Sequence, residues 1–161
     1  MKRISFITVF LLAVVCLASC RSNKPVASTI NEEVCAVPCF LYGSNVTAQE
    51  AKDITDAFRV NFHPSKYKLM EFERVDKAFE SHGYPRKEMT KQQMCEVGRT
   101  LGVKLMVVGT INKLMDEYSV DVQVVNVLKE TTVSFEGGAF QKADASKKMQ
   151  AIAQKLASTV E

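Results

Sequence analysis

The segment of residues 103–111 constrains the fold of this 161-residue chain more than any other. It contains Leu105-Met106-Val107-Val108, the most hydrophobic run after residue 20, and it follows Gly102 directly. A continuous apolar run just after a glycine that can end a helix is typical of a strand buried on both faces. The sequence therefore predicts a central strand that is covered on both sides.

Two capping boxes predict where helices begin. In each box, a threonine stands three residues before a side chain that can accept from the backbone amide of that threonine. The two pairs are Thr47 with Glu50 and Thr90 with Gln93. The apolar residues after each box recur on one helical face. Two further helices are predicted from apolar residues at helical spacing, at residues 75–82 and 149–160.

Five strands are predicted, at residues 34–40, 67–72, 103–111, 118–124 and 131–135. Gly137 and Gly138 are expected to end the last one. The first two crossovers contain helices and should join parallel strands, whereas the last two links are short and should form antiparallel hairpins. The order β-α-β-α-α-β-β-β-α therefore predicts a three-layer α/β/α domain around a mixed five-stranded sheet.

The first twenty residues predict where the protein resides. A basic pair and a short apolar run precede Leu17-Ala18-Ser19-Cys20, which is the layout of a bacterial lipoprotein signal. The apolar run is about 13 residues long, whereas a membrane-spanning helix needs about 20. We therefore expect residues 1–19 to be removed as a signal peptide and Cys20 to carry the lipid.

The remaining chain is predicted to be a short tether followed by one domain. Residues 20–33 are polar and lack periodicity, and residues 34–161 hold the predicted elements. Cleavage lowers the formal charge from +3 to +1, so no electrostatic footprint for nucleic acid is expected. Arg21 stands where inner-membrane lipoproteins of enteric bacteria carry aspartate, which favours the outer membrane, facing the periplasm.

Three cysteines remain after the signal and the lipidated residue are set aside. Cys35 and Cys39 are four strand steps apart, about 13 Å, whereas a disulfide needs Cα atoms within about 7 Å. The three thiols are expected either to be small buried hydrophobes or to include a disulfide with Cys95, such as Cys39–Cys95. A metal site is not expected, because no Cys-x-x-Cys pair is present and both histidines lie at segment ends.

Several of these segments resemble a known group of bacterial domains. Residues 36–40, Ala-Val-Pro-Cys-Phe, resemble the opening strand of the TolB amino-terminal-like and CsgG-like families. Residues 98–111 resemble their helix ending in Leu-Gly and the following strand ending in Val-Gly-Thr-Ile, and residues 118–127 resemble the next, alternating strand. The resemblance covers roughly residues 34–140 and extends to penicillin-binding-protein activator lipoproteins of the same superfamily. It implies an anticodon-binding-domain-like fold with strand order 2-1-3-4-5 and strand 4 antiparallel.

The sequence offers no catalytic constellation, so neither an enzyme nor a cofactor is expected. The main hypothesis is a protein-binding module in cell-envelope assembly, secretion or cell-wall regulation, with an envelope protein as partner and self-association left open. Tyr42 and Tyr84 are candidates to face that partner, although Tyr84 could instead pack on the sheet. The alternative is a lipoprotein that binds a small ligand or glycan in a crevice at the carboxyl ends of strands one and three, near Phe40 and Tyr42.

Overall fold

The computed structural model of the chain describes residues 30–85 and 87–160. The predicted signal peptide (residues 1–19), its motif Leu17-Ala18-Ser19, the lipidation site Cys20 and most of the predicted tether lie outside the described residues. Among the described helices, none is long and apolar enough to cross a membrane.

Six strands in the described residues form one mixed sheet. They are β1 (Asn31–Ala36), β2 (Leu41–Tyr42), β3 (Lys68–Leu69), β4 (Val103–Leu114), β5 (Glu117–Asn126) and β6 (Thr131–Gln141). The order is β3-β1-β4-β5-β6, with β1, β3 and β4 parallel and β5 antiparallel to both of its neighbours. This confirms the predicted mixed sheet and its order, and adds the short strand β2, which pairs with β4 beyond the end of β1.

Four helices within residues 30–85 and 87–160 cover the two faces of the sheet. They are α1 (Ala48–Asn61), α2 (Phe72–His82), α3 (Lys91–Leu101) and α4 (Ala145–Thr159), the last preceded by a 3-10 turn at Lys142–Asp144. Both predicted capping boxes are present, at Thr47 and at Thr90. Gly102 ends α3 with φ 69°, a left-handed conformation that glycine adopts without the steric cost of a Cβ.

The sheet separates two apolar cores. One lies under α1 and α4, where Phe58 packs 5.2 Å from both Phe40 and Phe62 between ring centroids. The other lies under α2 and α3 and includes Val97 and Met106. Helices on both faces explain why β4 is apolar on both sides, as the sequence predicts.

The predicted first strand is two strands in the structure. β1 begins at Asn31, inside the predicted tether, and residues 37–40 leave the ladder before β2 begins. Pro38 has no N–H to donate to a ladder. The amide of Phe40 donates instead to the buried hydroxyl of Thr55, with N and Oγ1 3.0 Å apart. Where the strand is interrupted, the backbone amide of Phe40 therefore finds its hydrogen-bond acceptor on α1.

The predicted second strand, residues 67–72, is mostly not a strand. Only Lys68–Leu69 pairs with β1, and α2 already begins at Phe72. The guanidinium of Arg59 on α1 donates to the carbonyl of Met70 at 3.1 Å and to that of Val37, and it lies 4.8 Å from the centre of the Phe72 ring. These bonds satisfy the carbonyls where the strands end, so the chain can turn early into the helix.

The glycine pair in β6 does not end the strand as predicted. β6 continues through Gly137 and Gly138, and its pairing shifts between Ser119 and Asp121 of β5. Gly138 has φ 68°, and a Cβ on Gly137 would overlap the carbonyl of Val120. The two glycines therefore form a β-bulge, which carries one extra residue and keeps the strand paired.

Candidate interaction surface

The carboxylate of Glu50 joins α1 to the β4–β5 hairpin. Its Oε2 accepts from the amide and the hydroxyl of Thr47, both at 2.9 Å, which closes the capping box. Its Oε1 accepts from Lys113 Nζ at 3.1 Å and from the hydroxyl of Tyr118. One side chain thus caps a helix and connects it to the two strands of a hairpin; we call these four residues the Glu50 network.

This environment keeps Glu50 ionised. The hydrogen bond from Tyr118, followed by those from Thr47 and Lys113, lowers the pKa of the Glu50 carboxyl to about 2. A carboxyl with so low a pKa carries no proton at neutral pH and cannot serve there as a general acid. The network is therefore suited to fixing geometry rather than to proton transfer.

Beyond the network, the hairpin ends in two exposed apolar side chains. Leu114 is 76% exposed and Met115 is 88% exposed. Met115 also has φ 54°, a left-handed conformation that costs a residue with a Cβ about 1 kcal/mol. We call Leu114, Met115, Asp116 and Glu117 the hairpin tip. Two adjacent large apolar side chains held in water on a strained turn are typical of a contact surface rather than of a folding requirement.

The base of the hairpin tip is firmly held. The amide of Gly43 donates to the carbonyl of Ile111 at 3.0 Å, and the side-chain amide of Asn45 donates to the carbonyl of Lys113 at 3.4 Å. The ring of Tyr118 stacks on Phe140 with centroids 5.9 Å apart. A preorganised base lowers the entropy lost when the tip binds a partner.

A shallow cavity of about 230 Å³ lies beside the Glu50 network. Its lining combines apolar side chains, among them Ile54, Ala57 and Ala145, with the charged side chains of Glu50 and Lys142. Lys142 Nζ is 3.9 Å from Glu50 Oε1, and the lysine side chain is 72% exposed. In the described part of the chain, no group of three or more His, Cys, Asp or Glu side chains is placed to hold a metal ion.

The two tyrosines predicted to face a partner lie apart and are both half-buried. Tyr42 packs against the core under α1, on the opposite side of the sheet from Tyr84. The Tyr84 ring stacks on His82 with centroids 5.3 Å apart, and its hydroxyl donates to Glu96, which raises the pKa of Tyr84. Tyr84 therefore contacts α2 and α3, and the prediction that Tyr42 or Tyr84 faces a partner stays a prediction.

The predicted crevice at the carboxyl ends of strands one and three is filled by the chain itself. Phe40 is completely buried, and its ring occupies the space where a side chain on Gly109 of β4 would lie. β2 then pairs with β4 at Thr110 and Ile111. The alternative function predicted a ligand at this point, and the buried phenyl ring and β2 occupy it instead.

The three cysteines in the described part of the chain are buried thiols. Cys35 and Cys39 lie in the core under α1 and α4, whereas Cys95 lies in the core under α2 and α3. The alternative Cys39–Cys95 disulfide is not formed, because the sheet separates the two residues. Burial raises the pKa of Cys35 to about 12, against the opposing charge of Arg59, and burial also raises the pKa of Cys95. Such thiols are inert packing groups.

Sequence reasoning missed the residues that define this surface. The sequence places Glu50 only in a capping box, and Leu114 and Met115 fall in the short link between the predicted strands 103–111 and 118–124. Their signal was chemical: Met115 opens the two-residue turn Met115-Asp116, where a tight hairpin favours asparagine and glycine.

The fold and this surface define a mixed-sheet α/β domain that presents an apolar hairpin tip on a rigid base. No protein-family model and no curated protein matches the chain. Several solved structures are similar to it in fold. The LpoB C-terminal domain from Salmonella enterica has a TM-score of 0.50 and 15% identity, with 71% of this chain and 87% of that chain covered.

The solution structure of LpoB from E. coli has a TM-score of 0.52 and 18% identity, with 67% of this chain and 56% of that chain covered. TolB from Acinetobacter baumannii has a TM-score of 0.48 and 10% identity, with 81% of this chain and 29% of that chain covered. The likeness to the LpoB domains is one of fold, and it confirms the fold that the sequence resemblance implied.

Proposed function

We propose that this chain is a non-enzymatic lipoprotein that binds another cell-envelope protein through its hairpin tip. In this proposal Cys20 carries the lipid, residues 20–30 tether the domain to the outer membrane, and the domain faces the periplasm. The process it serves is envelope assembly, secretion or cell-wall regulation. The fold shared with the LpoB domains supports the last of these, since the sequence resemblance extends to penicillin-binding-protein activator lipoproteins.

The exposed Leu114 and Met115 carry the proposal. Fully burying a side chain of this size contributes about 1.5–3 kcal/mol, and both side chains are still largely in water. Covering both would therefore contribute about 2.5–5 kcal/mol, which corresponds to more than a tenfold change in affinity. Methionine suits such a site because its flexible, polarisable side chain adapts to the surface it meets.

The alternative of small-ligand or glycan binding has weaker support. The cavity beside the Glu50 network, of about 230 Å³, is below the roughly 300–1,000 Å³ of typical small-molecule sites. Its two best-placed polar groups, Glu50 and Tyr118, already bond to each other. A protein partner that covers the tip is therefore the better match to the geometry.

The test is crosslinking in cells followed by affinity purification of the tagged protein. The double variant Leu114→Ser/Met115→Ser should lose the crosslink to one envelope protein. Leu128→Ser is the matched control, because Leu128 is a half-exposed leucine at the turn of the other hairpin. Loss of only a self-crosslink would identify the partner as a second copy. Equal capture by the wild type and the tip variant would contradict the proposal.

A further inference from the structure

Three lysines and a tyrosine lie together at the end of the sheet opposite the hairpin tip. Lys66 and Lys68 are exposed and flank the half-buried Tyr67, and Lys68 pairs with Val34 of β1. Lys104 Nζ lies 6.0 Å from the centre of the Tyr67 ring. We call Lys66, Tyr67, Lys68 and Lys104 the basic edge.

The basic edge carries three lysine side chains. Lys66, Tyr67 and Lys68 line an open concavity of about 370 Å³ together with Glu33. Lys104 adds the third cation beside the Tyr67 ring. Lysines that surround a tyrosine match the composition of protein surfaces at the membrane interface, where the ring lies at headgroup level and the cations meet phosphate.

The chain enters the domain at this same end. Asn31, the first residue of β1, pairs with Val103, the first residue of β4, one position before Lys104. From Cys20 to Ile30 the chain can reach at most about 35 Å, at roughly 3.5 Å per residue. A lipid on Cys20 would therefore hold the basic edge within a short distance of the membrane surface.

We propose that the basic edge binds anionic phospholipid headgroups of the membrane to which Cys20 anchors the protein. This proposal rests on the proposed lipid anchor but not on the identity of the partner. β4 extends over 12 residues from the basic edge to the hairpin tip, a length of about 36 Å at roughly 3.3 Å per step. With the basic edge on the membrane, the tip points away from it, toward a partner in the periplasm.

The experiment measures energy transfer from the hairpin tip to the membrane. The full lipidated protein is reconstituted in vesicles of phosphatidylethanolamine and phosphatidylglycerol that contain an acceptor lipid. A donor dye is attached at Asp116→Cys, where the thiol is selective because Cys35, Cys39 and Cys95 are buried. Transfer should be low, and it should rise in 1 M salt and in phosphatidylcholine vesicles, where headgroup attraction is screened or absent.

Charge reversal then distinguishes the two ends of the domain. Lys66→Glu/Lys68→Glu should raise transfer from the tip, whereas the matched double variant Lys147→Glu/Lys148→Glu, at the start of α4, should not. Equal transfer in anionic and neutral vesicles, or equal effects of the two double variants, would overturn the proposal. An intact mass without lipid on Cys20 would overturn it together with the anchor. Failure of the partner test would leave the result of this experiment unchanged.

Discussion

Replacing Glu50 by glutamine should make the stability of the domain less dependent on pH. The carboxylate accepts from Thr47, Lys113 and Tyr118, and these bonds lower its pKa from 4.5 to about 2 in the folded protein. Because the folded pKa lies below the unfolded one, Glu50 stabilises the fold above pH about 4.5. That contribution is lost as the pH falls from about 4.5 toward 2.

The magnitude follows from the same two pKa values. A difference of this size corresponds to at most about 3 kcal/mol at neutral pH. Lys113 is 24% exposed, so solvent screens part of its contribution, and we expect about 2 kcal/mol. The Glu50→Gln variant should be less stable than the wild type by this amount at pH 7 and equally stable near pH 2.

The assay is urea unfolding followed by circular dichroism at several pH values between 2 and 7. Asp53→Asn is the matched control, because Asp53 lies one turn further along α1 and is exposed. Its carboxylate accepts a hydrogen bond from Gln49 at 2.7 Å. A constant gap between Glu50→Gln and wild type at every pH would refute the reasoning. So would a Glu50→Gln variant that is as stable as the wild type at pH 7.

Four further predictions test other parts of the structure. Thr55→Val should cost about 1–3 kcal/mol in urea unfolding because the buried amide of Phe40 loses its acceptor, whereas Thr55→Ser should stay close to wild type. Gly109→Ala should cost about 3 kcal/mol because its Cβ would overlap the Phe40 ring, and adding Phe40→Leu should recover part of that loss; no loss would refute the contact. Cys35 should resist alkylation at pH 8 until urea unfolds the protein, as counted by mass spectrometry, since its pKa is raised to about 12; rapid native labelling would contradict its burial. Met115→Gly should raise the free energy of unfolding by about 1 kcal/mol while weakening partner capture, and a loss of stability would show that the left-handed turn is not strained.

The elements whose signals are local could be predicted from the sequence. The capping boxes at Thr47 and Thr90 and the helix-ending Gly102 each depend on hydrogen bonds or backbone angles within a few residues. The apolar run of β4 and the alternation in β5 depend only on which face is buried. These signals predict the order of strands and helices, and that order predicts a mixed sheet.

The errors arose where distant residues decide the local structure. The end of β1 and the early start of α2 depend on Arg59 and Thr55, which reach from α1 to carbonyl and amide groups far along the chain. The bulge at Gly137 and Gly138 depends on how β6 pairs with β5. No periodicity within the segment itself carries that information.

The candidate surface was the least predictable part. The network needs Glu50 to meet Lys113 and Tyr118, more than 60 positions away, and only the folded sheet brings them together. The exposure of Met115 likewise follows from the tight hairpin turn. The prediction that Tyr42 and Tyr84 face a partner rests on residue type, and a large aromatic residue is as often a packing group as a contact.

The central claim, that the hairpin tip is the docking surface, is tested most directly by photocrosslinking in living cells. A photoreactive amino acid is placed in turn at Met115, at Leu128 and at Tyr84. We expect a crosslink to one envelope protein from Met115 and none to that protein from Leu128 or Tyr84. The same product from all three positions, or a product from Tyr84 alone, would contradict the claim.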